Sequence, residues 1–353
     1  MRGTRRIVAL GTITCSALLL IALVAPTAAT ARPRIRVLLS GLSSPKGLAL
    51  ARDGNLIVGQ GAFGPPAPVL LFLLKGPHRG DTVEVTDPVN VMDVAEGPDG
   101  SGWAIGGDRV LYRQDPQGNV HAVLDIAHYQ ETDPDPYNQE GDPTESNPYG
   151  LAVLPSGDAL VADAAGNDLL RVTPEGDPTT MARFDVESIS TDHLPGDFPP
   201  RIDAEAVPTT VTVGPDGWVY VGELKGFPFR PRSSRIWRIR PDADGVLCSV
   251  NDPGRGCRHL RGRYTAIQDI AFGRRTSLLY VYQLAADGVL AFEEGFETGV
   301  FPPAVLLKVR GEERTRLAVR RLSQPGGVVV TKNGTVYVTD GVFTEGRLIR
   351  VRR

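Results

Sequence analysis

The chain has 353 residues, of which 41% are hydrophobic and 22% charged, with a formal net charge of −3. A balance on the acidic side argues against a nucleic-acid partner. Basic stretches do occur, as Arg255 to Arg263 and Arg314 to Arg321, but a solvated loop or strand face accounts for them.

The N-terminus carries an address. Met1 to Arg6 holds three arginines, Ile7 to Ala25 is apolar and uncharged, and Ala29-Thr30-Ala31 offers small residues where a signal peptidase cuts. We read residues 1–31 as a signal peptide and residues 32–353 as the exported, soluble protein, a retained membrane anchor being the rival because the apolar stretch approaches bilayer length. Thr4-Arg5-Arg6 leaves the twin-arginine route open. Cleavage removes three arginines and no acids, which carries the net charge from −3 to −6. No second long apolar segment follows, so no membrane association is expected after cleavage.

The mature chain repeats one pattern. Pro45-Lys46-Gly47-Leu48-Ala49-Leu50 leads to the turn Asp53-Gly54 and then to Asn55-Leu56-Ile57-Val58. Pro148 to Val153, Pro208 to Val213 and Pro325 to Val330 likewise lead to Ser156-Gly157, Asp216-Gly217 and Asn333-Gly334, each followed by a second β-rich run. Weaker copies begin near Asp93 and Asp269. With Gly47, Asp93, Gly150, Thr210, Asp269 and Gly327 as equivalent anchors, the spacings are 46, 57, 60, 59 and 58 residues. A short β-rich run, an Asn/Asp/Ser-Gly hairpin turn and a second run, repeated six times without sustained helical periodicity, predict an all-β, six-bladed β-propeller. Ile35 to Leu39 is an orphan strand, expected to complete the sixth blade beside Leu348 to Val351 and so leave no open edge at the seam.

Once Cys15 has left with the leader, Cys248 and Cys257 are the remaining thiols. In an oxidising compartment two such neighbours are expected to form a disulfide; their spacing, with His259 the one close histidine, fits no zinc pattern.

Hairpin geometry sorts residues by face. Asn147, Tyr149, Thr209 and Gln324, just before first strands, share an end with Gln60, Asp163, Glu223, Gln283 and Asp340, just after second strands. The long segments 60–68, 130–147, 188–207, 224–234 and 251–265 fall at the same end, and loops on a rigid scaffold are where binding resides. Candidate ligand contacts are therefore Gln60, Asn147, Tyr149, Lys225, Phe227, Phe229 and Gln283. Asp163, Glu223 and Asp340 occupy equivalent positions in three blades, so pseudo-symmetry is expected to turn them towards the axis. There they could hold a divalent cation, calcium above all; alternatively each carboxylate caps its own hairpin. The acidic loop Glu131 to Glu145 reads as a solvated lid. No nucleophile motif is present, and the five histidines fall at unrelated places in the repeat.

The blade pattern resembles NHL-type and SMP-30/gluconolactonase-like six-bladed propellers. Ser146-Asn147-Pro148-Tyr149-Gly150-Leu151-Ala152-Val153, Val207-Pro208-Thr209-Thr210 with Gly222-Glu223-Leu224-Lys225-Gly226-Phe227-Pro228-Phe229, and Pro325-Gly326-Gly327-Val328 are similar to the ScyD/ScyE-like family of exported bacterial propellers. That resemblance, over roughly residues 35–351, implies a fold and an exported location more than a reaction. Two readings result. One is a monomeric binding or scaffold propeller that grips a small molecule, glycan or protein on its loop-rich face. The other, implied by the lactonase likeness, is a divalent-metal-dependent hydrolase or lactonase using Glu223, Asp163, Asp340 and Asn147.

Overall fold

The structure, a computed structural model, describes residues 35–351 apart from 253, 255, 274–276 and 319. The expected signal peptide and its cleavage point lie outside the described residues.

The strands arise where β-branched and aromatic residues alternate between turn signals. β1 (Ile35–Ser43) leads the chain; β2 (Leu48–Leu50), β3 (Leu56–Val58), β4 (Leu70–Phe72) and β5 (Thr82–Glu84) form the first antiparallel sheet. β6 (Val91–Glu96), β7 (Gly102–Gly106), β8 (Val110–Gln114) and β9 (Val120–Asp125) form the second. Helix α1 (Ile126–Thr132) then precedes the third, made of β10 (Pro148–Val153), β11 (Ala159–Asp163), β12 (Asp168–Val172) and β13 (Pro178–Phe184). A hairpin of β14 (Glu187–Ser190) and β15 (Arg201–Ala204) separates it from β16 (Pro208–Val213), β17 (Val219–Glu223) and β18 (Ile236–Ile239). β19 (Val246–Cys248) joins the third sheet as a fifth strand parallel to β13, while β20 (Cys257–His259) completes the fourth. β21 (Ile267–Phe272), β22 (Leu279–Gln283), helix α2 (Val289–Thr298), β23 (Val305–Arg310) and β24 (Glu313–Leu317) make the fifth blade. β25 (Pro325–Val330), β26 (Val336–Asp340) and β27 (Glu345–Val351) make the sixth, whose outer strand is β1.

The innermost strands β2, β6, β10, β16, β21 and β25 pack each on the next, and β25 returns to β2. The ring is therefore closed around a central axis. Its seam is the one expected: β1 runs antiparallel to β27 from Ile35 opposite Val351 to Ser43 opposite Glu345, so first and last segments share a sheet and β27 is paired on both sides. Apolar side chains fill the wedges between blades, as where Leu160, Leu169 and Phe184 of the third meet Val219 and Trp237 of the fourth, all buried.

Three details differ from the sequence expectation. Segment 251–265 supplies β20, the outer strand of a blade, and so is not purely a loop. Segment 188–207 is largely a hairpin. The acidic stretch after α1 is docked at its start and exposed beyond it: Asp133 pairs with Arg183 and accepts from Thr180, and buried Asp135 accepts from Asn167 Nδ2 at 2.9 Å and from the Tyr137 amide at 2.8 Å, whereas Glu140, Asp142 and Glu145 are exposed. Charge pattern alone could not show that Arg183 and Asn167, distant in sequence, would meet it.

Cys248 and Cys257 are disulfide-bonded with their Cα atoms 5.4 Å apart. Because Cys248 ends β19 and Cys257 begins β20, the bond ties the outer edge of the third blade to that of the fourth.

Candidate functional site

Second strands end at one buried polar residue in four blades, and in the first Gln60 follows β3 by two residues; in four of these five that side chain has the same task. Gln60 Oε1 accepts from the Ser43 amide at 2.9 Å, Asp163 Oδ1 from Asn147 at 2.7 Å, Gln283 Oε1 from Thr265 at 3.0 Å, and Asp340 Oδ1 from Ser323 at 2.8 Å. Each amide belongs to the chain just entering the blade, so the side chain braces entry segment to second strand. A buried amide without an acceptor is costly, which explains why Gln serves as well as Asp. Glu223 varies the theme by accepting from the Arg235 amide at 2.8 Å and from Trp237 Nε1 at 2.9 Å.

The three carboxylates stand at equivalent register positions, opposite Pro148, Pro208 and Pro325, but each is held by its own set of donors rather than meeting the others. Asp163 is also bonded by Ser146 Oγ at 2.6 Å and by the amides of Ala165 and Gly166. Glu223 pairs with Lys225 Nζ at 2.9 Å, and Asp340 takes Arg347 and the Tyr282 hydroxyl. Among the described residues no group of three His, Cys, Asp or Glu side chains is arranged to hold a metal ion. Burial raises the pKa of Asp163, against the opposing pull of its donors, and pushes Asp340 up to about 6 despite Arg347.

The axis belongs to the repeat anchors instead. In five blades a register irregularity falls beside the anchor, and at the three of these anchors that carry a side chain, Asp93, Thr210 and Asp269, it is aimed at the next blade. Asp93 Oδ2 accepts from the Leu151 amide at 2.8 Å, Thr210 Oγ1 donates to Asp269 Oδ1 at 2.6 Å, and Asp269 Oδ2 accepts from the Val328 amide at 2.6 Å. At the glycine anchors Gly150 and Gly327 no side chain fits: a Cβ on Gly150 would stand 2.6 Å from Thr210 Cα, and one on Gly327 2.7 Å from Leu48 Cβ. Polar bridges and bare contacts together fasten the ring.

Lys46, one residue before the first anchor, is buried and donates to the carbonyl of Tyr149. Burial lowers its pKa, while Asp93 and Asp269 act to raise it. Reciprocally, burial raises Asp93 against the pull of Lys46, and burial together with Asp93 pushes Asp269 up to about 7. The Tyr149 hydroxyl accepts from Gln268 Nε2 at 2.9 Å, and burial pushes it up to about 12. Lys46, Tyr149 and Gln268, from blades one, three and five, plug the axis at its loop-rich end.

Above that plug lie aromatic rings. Phe63 is 6.4 Å from Tyr149 and stacks on Phe343 at 5.0 Å, and Phe343 continues to Phe296 at 5.1 Å and Phe292 at 5.9 Å on α2. Phe63, Phe343 and Phe296 are 46%, 39% and 56% exposed. The loops are held rather than loose: the Phe63 amide donates to Ser44 Oγ at 2.9 Å, Asn90 Nδ2 ties the carbonyls of Gly61 and Gly64, and Gln324 Oε1 accepts from the Phe343 amide at 3.2 Å. A second cluster joins Phe227 to Phe198 and to Phe229, both at 5.9 Å.

Of the expected ligand contacts, Tyr149, Phe227 and Phe229 belong to these aromatic groups and Asn147 has an exposed side chain. Gln60 and Gln283 are buried braces. Lys225 is 1% exposed and held by Glu223 and Glu187, so a ligand could not reach its ammonium without breaking a buried pair. Sequence reasoning passed over Lys46, Asp93, Asp269, Phe63 and Phe343. The signal for the acids was present: Asp stands at an anchor where other copies have Gly or Thr. The phenylalanines lie outside the repeat and left no such trace.

The fold and axis define a six-bladed β-propeller sealed by its N-terminal strand. No family model and no curated protein matches the sequence. Solved structures of similar fold include a streptogramin B lyase, 15% identical over 91% of this chain and 97% of the other with a TM-score of 0.51. A PQQ-bound aldose sugar dehydrogenase from Streptomyces coelicolor is 14% identical over 91% and 99% with a TM-score of 0.53. A Thermus thermophilus protein described as a putative glucose dehydrogenase is 17% identical over 90% and 99% with a TM-score of 0.51. At these identities the likeness concerns the fold alone.

Proposed function

We propose that this is an exported binding propeller, akin to the ScyD/ScyE-like proteins, whose loop-rich face takes a flat apolar small molecule. The carrying observation is the exposed run Phe296–Phe343–Phe63, which ends over Tyr149. Stacked phenylalanines offer area without hydrogen-bonding groups, which favours a flat apolar ligand over a glycan. Rings fixed by loop hydrogen bonds lose little freedom on binding. The disulfide and the charged-then-apolar leader support export.

N-phenyl-1-naphthylamine, a neutral flat fluorophore, tests the reading. Saturable binding to wild type is expected, with loss in Phe63→Ser/Phe343→Ser at unchanged Tm, and no competition by maltohexaose. Absence of saturable binding, or binding undiminished in the double variant, would overturn it. An intact mass for the secreted protein that begins near Arg32 checks the export step, and retention of residues 1–31 would contradict it.

A further inference from the structure

A cavity of about 420 Å³ is lined by all six innermost strands. It lies at the end of the axis opposite the aromatic loops, since its lining continues into the short hairpin turns through Glu96, Gly214, Pro215 and Gly273. The walls are aliphatic, from residues such as Val94, Leu151, Val211 and Val329. The inner end presents Asp93 and Asp269, both half-buried, so that part of each side chain stays open although protein surrounds it. From Asp93 to Glu96 at the rim is three residues of extended strand, on the order of 10 Å.

We propose that this cavity is a second binding site, for the ammonium of a linear aliphatic amine inserted from the short-turn face. Such a chain lays methylenes along the aliphatic walls and brings its charge to the two carboxylates. Lys46 supplies one positive charge against two potential negative ones, so the inner end accommodates one further cation and repels an anion. The oxygens have room for it: Asp93 accepts from the amides of Val94 and Leu151, and Asp269 from Thr210 Oγ1 and the amides of Ile270 and Val328, whereas two carboxylate oxygens offer about four acceptor positions per residue. A six-carbon chain matches the depth. This site is independent of the aromatic face and would survive the failure of that reading.

Hexylammonium is the probe, with hexanoate as the control of equal length and opposite charge. Saturable binding of hexylammonium and none of hexanoate is expected by calorimetry. Asp93→Asn and Asp269→Asn keep an acceptor oxygen but remove a charge, and each should weaken binding roughly tenfold or more. A destabilised variant would also bind less, so Lys46→Gln supplies the opposite sign: removal of the competing cation should tighten hexylammonium at least several-fold. Affinity should also rise at least several-fold from pH 5.5 to 8 as Asp269, faced by Asp93, Lys46 and Thr210, ionises near about 7. N-acetyl-lysine N-methylamide separates sources: tighter binding than pentylammonium assigns the site to a protein's lysine, weaker binding to a free amine. No saturable hexylammonium binding, equal binding of hexanoate, or an affinity unmoved in all three variants would overturn the proposal.

Discussion

The ammonium of Lys46, from the first blade, lies 3.8 Å from the centroid of the Tyr149 ring in the third. The same ammonium donates to the Tyr149 carbonyl, while Gln268 of the fifth blade holds the tyrosine hydroxyl. Alternate blades are thus joined across the axis, where adjacent inner strands alone would leave an open bore. Removal of this cation leaves Asp93 and Asp269 facing each other. Lys46→Met is expected to destabilise by about 3–5 kcal/mol in chemical denaturation, and Lys46→Gln, which retains a donor for the carbonyl, by clearly less. Equal stability of both variants and wild type would mean that the plug carries no weight.

The pH dependence has a definite sign. Asp269 and Asp340 are pushed up to about 7 and about 6, mainly by burial, from an ordinary value of 3.8. The native state therefore holds protons that the unfolded chain releases, and stability falls as pH rises from about 4 to about 7. On the acid side Asp99, held at about 2 chiefly by Ser101, works the other way and loses its contribution below about pH 4. Urea midpoints from pH 3 to 8 should peak near pH 4–5, with a shallower alkaline decline in Asp269→Asn. A peak at pH 7 or above would contradict the burial of Asp269 and Asp340.

Much of this architecture was legible because a propeller writes its hairpin six times, and the register of turns survives even where residues vary. The orphan strand at Ile35 and the missing fourth strand after Val351 found each other by arithmetic alone. The direction of a side chain at a strand end was not legible. Asp163, Glu223 and Asp340 are at equivalent positions, yet whether they face the axis or their own blade depends on amides such as those of Asn147 and Ser323, whose placement follows from the bulges beside the anchors. Phe63 and Phe343 meet only because the ring closes between the last blade and the first.

The seam carries a prediction of its own. Deletion of Ile35–Ser43 removes the partner of β27 along its length and exposes an edge with its backbone groups unpaired. Aggregation or loss of the cooperative melt is expected by size-exclusion chromatography and calorimetry. A monomeric deletion with unchanged Tm would show that β27 needs no partner.

The disulfide should act locally. Cys248→Ser/Cys257→Ser opens a loop whose closure is worth about 2–3 kcal/mol in the chain-entropy model, so Tm should fall modestly while the fold persists. Because the bond joins β19 to β20, amide exchange should quicken first in β13 and β19. Uniform acceleration across all six blades would instead make the bond a global determinant.

The braces offer a direct contest with the calcium reading. Asp163 gives acceptors to the amides of Asn147, Ala165 and Gly166 and to Ser146 Oγ. Asp163→Ala would strand these donors in a buried loop, each at about 1–3 kcal/mol before relaxation, and a loss of about 3–5 kcal/mol overall is expected. Asp163→Asn keeps one oxygen acceptor and should lose less. If the carboxylates served chiefly as ligands for a cation, chelator would lower the melting temperature of wild type and leave these variants unmoved; if they serve as braces, wild type and both variants respond equally little to added calcium while their own melting temperatures fall in the order wild type, Asn, Ala. Thermal melts in calcium and in EDTA decide it, because a resident cation contributes stability that grows with its concentration whereas a hydrogen-bond brace does not. Higher melting of Asp163→Asn than of wild type in both buffers would exclude the brace as well, since it would mean that the buried charge costs more than its donors return.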